Sequence, residues 1–120
     1  MRIKAKLKCI KNIDNLNLLF FECLGVEIKV LMLEMNINLN KGEFAYLKVK
    51  PTLLWLSAEK CECENVLEVD VLKVKKGEIM ANVLCRFGEE VFEVLMLKEY
   101  VNFDTKAYLC FKSNFVAVEK

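Results

Sequence analysis

The chain states one pattern twice. Val30-Leu31-Met32-Leu33, Ile37-Asn38-Leu39, Ala45-Tyr46-Leu47 and Lys50 return as Val94-Leu95-Met96-Leu97, Val101-Asn102-Phe103, Ala107-Tyr108-Leu109 and Lys112. The offset drifts only from 64 to 62 residues, and the length changes fall in loops. A repeat this long in 120 residues means two copies of one small module, about 1–60 and 61–120. A module of roughly 60 residues is marginal alone, because folding removes too little of its surface from water. The apolar share of 55% exceeds the usual 45–50% or so, which implies that the copies bury surface against each other or against another chain. The joint, Glu59-Lys60-Cys61-Glu62-Cys63-Glu64, lacks Pro and Gly and reads as a short connection between touching units.

Within each copy the apolar residues recur mainly at every second position. Arg2-Ile3-Lys4-Ala5-Lys6-Leu7-Lys8-Cys9 puts four cations on one face and Ile3, Ala5, Leu7 and Cys9 on the other, as in a half-buried strand. Leu18–Leu24, Glu27–Leu33, Phe44–Lys50 and Leu53–Ala58 read likewise in copy one. Val66–Lys75, Ile79–Phe87, Glu90–Leu97, Lys106–Lys112 and Phe115–Val118 follow in copy two. Gly25 and Gly88 mark hairpin turns, Lys41-Gly42 and Lys76-Gly77 further turns, and Pro51 a strand end. A helical turn is expected around Leu31–Ile37. Five short strands per copy, with edges that need protection, predict an all-β chain of two tandem OB-like five-stranded small barrels.

Charge and composition narrow the function. The net charge is +1, but residues 1–60 carry +4 and residues 61–120 carry −3, a complementarity suited to fixing orientation. No apolar run nears the roughly 20 residues needed to span a bilayer, and the N-terminal stretch has no apolar core of a secretory signal. With no histidine, no phosphate-cradling Gly-rich loop and no recognised nucleophile motif, the expectation is a protein that is not an enzyme. The six cysteines lack metal-ligand spacing beyond Cys61-Glu62-Cys63. They read as apolar thiols of a reducing cytoplasm, with no metal site expected. Arg2, Lys4, Lys6 and Lys8 form a basic stripe without interleaved aromatics, and the balanced charge argues against a nucleic-acid partner, although OB-type barrels often bind single strands.

Copy two runs Asn65-Val66-Leu67-Glu68-Val69-Asp70-Val71, Gly77, Ala81-Asn82-Val83, Gly88, Val101-Asn102-Phe103 and Ala107-Tyr108-Leu109-Cys110-Phe111-Lys112-Ser113. Copy one ends in Ala45-Tyr46-Leu47-Lys48-Val49-Lys50-Pro51-Thr52 and carries Ile37, Leu39 and Gly42 in a Leu-x-Leu-x-x-Gly spacing. Both resemble the TOBE domain, the OB-like module of molbindins, of molybdate-responsive regulators and of some ABC transporter ATPases. The resemblance covers nearly the whole chain as a tandem pair. It implies binding of molybdate or tungstate between domains as a ligand, with no covalent cofactor, in a cytoplasmic homo-oligomer serving molybdenum storage, homeostasis or sensing. Its motif positions put Lys50 and Thr52 of copy one, and Lys112, Ser113 and Asn65 of copy two, at the candidate pockets. An ammonium, a hydroxyl and backbone N–H groups would then surround the dianion. Two alternatives stand beside this reading: a non-catalytic module docking on molybdate ABC transporter components or a regulator, and a single-strand nucleic-acid binder. The pattern breaks at Glu64, where the family has a cation and where a carboxylate is expected to repel an anion. Copy one begins at Met1 without the opening segment.

Overall fold

The computed structural model describes residues 1–35 and 37–120. Asn36 lies outside them; of the helical turn expected at Leu31–Ile37, Leu31 and Met32 instead continue a strand and Leu33 and Glu34 form a bend. The described residues form ten strands: β1 Arg2–Ile13, β2 Leu16–Cys23, β3 Val26–Met32, β4 Phe44–Lys48, β5 Trp55–Ser57, β6 Asn65–Lys76, β7 Met80–Phe87, β8 Glu90–Leu97, β9 Lys106–Phe111 and β10 Ala117–Glu119. Short 3-10 helices follow β4 (Pro51–Leu53), β8 (Lys98–Tyr100) and β9 (Ser113–Phe115).

All ladders are antiparallel and make two five-stranded sheets, ordered β10-β4-β1-β2-β3 and β5-β9-β6-β7-β8. Each sheet takes four strands from one repeat and its fifth from the other. Trp55–Ser57 pairs with Cys110, Leu109 and Tyr108, while Ala117–Glu119 pairs with Lys48, Leu47 and Tyr46. The repeats expected at 1–60 and 61–120 therefore interlock: the sequence repeats at that joint, but neither sheet is complete without the other half. Two ion pairs, Lys48 to Glu119 at 2.9 Å and Lys120 to Glu43 at 3.3 Å, cross between repeats at the exchanged strand β10.

Alternation builds one shared core. Ile3, Ala5, Leu7, Leu19, Phe21, Ile28, Val30 and Leu47 of the first sheet join Leu56, Leu67, Val69, Val83, Cys85, Val94 and Leu109 of the second. At roughly 25 cal/mol per Å² of apolar surface, burying one such Leu or Phe side chain is worth about 1.5–3 kcal/mol. The alternation breaks at matching points of the repeats, where the register slips between Leu7 and Cys9 and between Val71 and Lys73. A bulge inserts one residue and changes which face follows it. Cys9, expected on the core face with Ile3, Ala5 and Leu7, is therefore exposed. Beyond the bulges the β1–β2 and β6–β7 hairpins extend past the core, leaving Ile13 at 65% and Ile79 at 70% exposure.

Turn chemistry sets the hairpins. Asp14 and Asn15, at φ 50° and 67°, join β1 to β2 with both central residues left-handed, as a two-residue type I′ turn requires. Leu24 and Gly25 do the same between β2 and β3 at φ 51° and 79°.

Candidate functional site

The strand exchange places the two Lys-containing segments at equivalent junctions. After β4 the chain passes through Lys50 into the helix Pro51–Leu53, which packs on β8; after β9 it passes through Lys112 into the helix Ser113–Phe115, which packs on β3. Lys50 and Lys112 share an extended backbone, at φ −63° and −80°, and each carbonyl accepts a hydrogen bond from the N–H three residues on. Every copy of the motif therefore sits where one sheet touches the edge strand of the other.

At the first junction an open cleft of about 490 Å³ has Arg2, Lys48, Lys50 and Pro51 on one wall and Val91, Phe92 and Glu93 on the other. Arg2 lies over the Tyr46 ring, 3.6 Å from its centroid, and Lys48 pairs with Glu119. Lys50 is exposed and has no ionic partner among the described residues. Thr52 is also exposed and stands outside the lining of this cleft, so only Lys50 of the expected first-copy pair faces it. Pro51 has no N–H to donate, so the cleft offers ammonium and guanidinium groups here rather than a backbone cradle. Glu93 accepts a hydrogen bond from Asn82 Nδ2 at 3.2 Å.

The second junction differs in chemistry. Ser113, the repeat counterpart of Pro51, is 3% exposed; its N–H donates to Glu64 Oε1 at 3.0 Å and its Oγ donates to Glu64 Oε2 at 3.1 Å. The carboxylate expected to repel an anion instead accepts from both Ser113 donors. Asn65, 1% exposed, is equally committed: Oδ1 accepts from the Lys29 N–H at 2.7 Å and Nδ2 donates to the Lys29 carbonyl at 2.9 Å. It imitates a peptide group and ties β6 of the second repeat to β3 of the first. Lys112 remains exposed, its ammonium 5.8 Å from the Phe115 ring centroid. Sequence reasoning named Ser113 and Asn65 but missed their partners, because Glu64 and Ser113 lie 49 residues apart.

Cys85 and Cys110 are buried, Cys23, Cys61 and Cys63 half-buried, and only Cys9 exposed. Burial pushes the Cys85 thiol up to about 12. Burial, then hydrogen bonding and repulsion from Cys61 and Cys63, raises Cys110 further. No group of three or more Cys, Asp or Glu side chains is placed to hold a metal ion among the described residues. The basic stripe on β1 is interleaved with aromatics after all, since β4 lies beside it: Arg2 covers Tyr46, and Lys4 lies 5.2 Å from the Phe44 ring. Those ring faces are capped by the chain's own cations, so a stacking base would have to displace them. No helix is long and apolar enough to cross a membrane among the described residues.

Two five-stranded antiparallel sheets built from interlocked repeats, with a Lys-bearing segment at each crossing, define a tandem TOBE-like fold. The same architecture is seen in the cytoplasmic molybdate-binding protein ModG, in a crystal form with molybdate bound. The TM-score is 0.87 over 99% of this chain and 94% of that one, at 17% sequence identity. No protein-family profile and no curated protein sequence matches the chain.

Proposed function

We propose that this protein binds a tetrahedral oxyanion of the molybdate and tungstate class without catalysing a reaction. The observation that carries the reading is the first cleft, where Lys50, Lys48 and Arg2 converge at the crossing of the two sheets. Cations and N–H groups suit a dianion because they donate without presenting lone pairs to it. Glu119 pairs with Lys48 and also attracts Arg2, which lies over the Tyr46 ring, while Lys50 stands free of ion pairs among the described residues, so the three cations of this wall outnumber Glu119 and Glu93. ModG, whose fold the chain shares, is described with molybdate bound, which supports the choice of ligand.

The cleft is open, so a complete cage takes its remaining donors from a second copy of the chain. The protein is accordingly a homo-oligomer that stores, buffers or senses the oxyanion in the cytoplasm and hands it to or from transporter components. Titration calorimetry with molybdate, tungstate and sulfate tests this. Heat is expected with the first two, and Lys50→Ala weakens it at least about tenfold, since a charge-assisted hydrogen bond contributes about 1.5–3 kcal/mol. Absence of heat with all three anions at millimolar concentration ends the reading. A docking role draws on a different observation, the exposed Ile13 and Leu33 at one end and Ile79 and Leu97 at the other. Co-purification with a transporter subunit that is unaffected by Lys50→Ala but lost in Ile79→Ser would favour it.

A further inference from the structure

Cys110 is buried where the alternation of its strand calls for exposure. Lys106, Tyr108 and Cys110 take the outer positions of β9, and Ala107, Leu109 and Phe111 the core positions. Lys106 is exposed and Tyr108 half-buried, yet Cys110 is only 4% exposed. The topology accounts for the cover. β5 and β6 flank β9, where Trp55 and Val66 both pair with Cys110, and both run antiparallel to it. They are therefore parallel to each other, so residues 58–64 cannot turn as a hairpin and have to return across a face of the sheet. The core fills the inner face, which leaves the outer one, over Cys110. The connection brings two more thiols there. Cys61 and Cys63 are half-buried and both hydrogen-bond to the Cys110 thiol, and Cys63 also donates to the Phe111 carbonyl at 3.6 Å. All three are free thiols, and among the described residues they are not placed to hold a metal ion, so their chemistry is that of thiols with one another.

We propose that Cys61 and Cys110 are a redox pair, which a peroxide converts to a disulfide that staples the connection between the repeats to β9. Cys61 makes the stronger of the two contacts with Cys110, whereas Cys63 is partly engaged by the Phe111 carbonyl. The Cys61 sulfur, reachable from solvent, attacks the O–O bond; the leaving hydroxide takes the thiol proton as water, and Cys61 becomes a sulfenic acid. The Cys110 sulfur then attacks the Cys61 sulfur, the S–O bond breaks, and the departing hydroxide takes the Cys110 proton as a second water. The peroxide gains two electrons and the two thiols lose them. Buried Cys110 never has to meet the oxidant. A small oxidant suits the geometry, because a bulky reagent attached to Cys61 would lift the connection off Cys110. In a reducing compartment the pair stays open and closes only when an oxidant arrives.

The test uses the full chain, reduced and then exposed to a modest molar excess of hydrogen peroxide. Remaining thiols are blocked with N-ethylmaleimide in denaturant, and tryptic peptides are mapped by mass spectrometry with and without reductant. The expected product joins peptides 61–73 and 107–112, is two hydrogens lighter than the separate pair, and has its link on Cys61. Cys63→Ser should keep the link, and Cys110→Ser should lose it and leave Cys61 as its sulfenic or sulfinic acid. Because the bond constrains the unfolded chain, the oxidised protein should melt about 5 °C or more above the reduced one. Cys110 recovered as a blocked thiol after Cys61 has been oxidised overturns the pair. So does a link that joins only Cys61 to Cys63, or only Cys9 of one chain to Cys9 of another. A link from Cys63 to Cys110 overturns the choice of Cys61. The wild-type map decides each of these and needs no variant to fold.

Discussion

Asn65 joins the repeats through one buried side chain, and Asn65→Ala tests how much that link is worth. The substitution leaves the Lys29 N–H and carbonyl without the partners they have at 2.7 and 2.9 Å. An orphaned buried polar group costs about 1–3 kcal/mol. Lys29 is half-buried, so water reaches part of the vacated space and the low end of that range applies, about 1–1.5 kcal/mol for each group. The two groups together then destabilise the fold by about 2–3 kcal/mol. Over 120 residues, unfolding entropy near the midpoint is about 0.25 kcal/mol per degree. The melting temperature should therefore fall by about 8–12 °C. Scanning calorimetry gives the shift, and hydrogen exchange at the Lys29 amide gives its origin. Asn82→Ala, which removes an exposed hydrogen bond to Glu93, serves as the control and should change little. A fall of less than about 3 °C, or a Lys29 amide as protected as before, would refute the reasoning that the side-chain amide acts as a strand partner.

The remaining expectations follow from other parts of the structure. Fragments 1–60 and 61–120, made separately, should each lack a cooperative transition and regain one on mixing, because each sheet needs a strand from the other fragment; circular dichroism melts decide this, and an independently folding half would contradict the exchange. A thiol-disulfide reagent near about pH 8 should modify Cys9 fastest and leave Cys85 and Cys110 untouched until the chain is denatured, since burial closes both thiols to the reagent and raises them well above the ordinary 9.0, leaving far less nucleophilic thiolate; mass spectrometry of time points reads the order. Acid should destabilise the fold through Asp70, Glu43 and Glu119, held below their ordinary values chiefly by Lys106, by the Asn40 N–H and by Lys48 respectively. A depressed carboxyl stabilises the folded state above its unfolded value, 4.5 for Glu and 3.8 for Asp, and that contribution disappears as pH falls through the folded value. Glu119→Gln should flatten this acid limb in urea melts, and an unchanged slope would show that the Lys48 pair has no linkage to folding.

The strands were legible because most of each one alternates cleanly. All ten overlap the period-two runs, although β1 runs on past Cys9 to Ile13, and Leu53 and Phe115, read into the fifth and last strands, sit in 3-10 helices. Pairing was less legible, since alternation says which face of a strand is buried but not which edge it joins. Trp55-Leu56-Ser57 and Ala117-Val118-Glu119 carry nothing local that sends each to the other repeat's sheet. The bulges at Lys8 and Leu72 were hidden for the same reason, as an inserted residue looks like ordinary sequence until the partner strand is counted. Asp14-Asn15 carries a turn signal in its composition, though without a glycine to mark it as Gly25 and Gly88 mark theirs. At the site, resemblance pointed to Lys50 and Ser113, while Thr52 proved to face solvent away from the cleft. The Glu64 contact was beyond reach, because adjacency in the chain revealed a charge near the motif but not that it would bend onto Ser113.

The return of β10 to β4 has a consequence during synthesis. Lys48 and Glu119 lie 71 residues apart, so the outer edge of β4 waits for residues 117–119 to emerge before its last neighbour arrives. Until then a nascent first sheet displays a free row of N–H and C=O groups, a template for pairing with another nascent chain. On a polysome, where identical chains emerge side by side, the same edge can accept residues 117–119 from a neighbour, so the ribosome-bound stage is where this topology is most open to exchange between molecules.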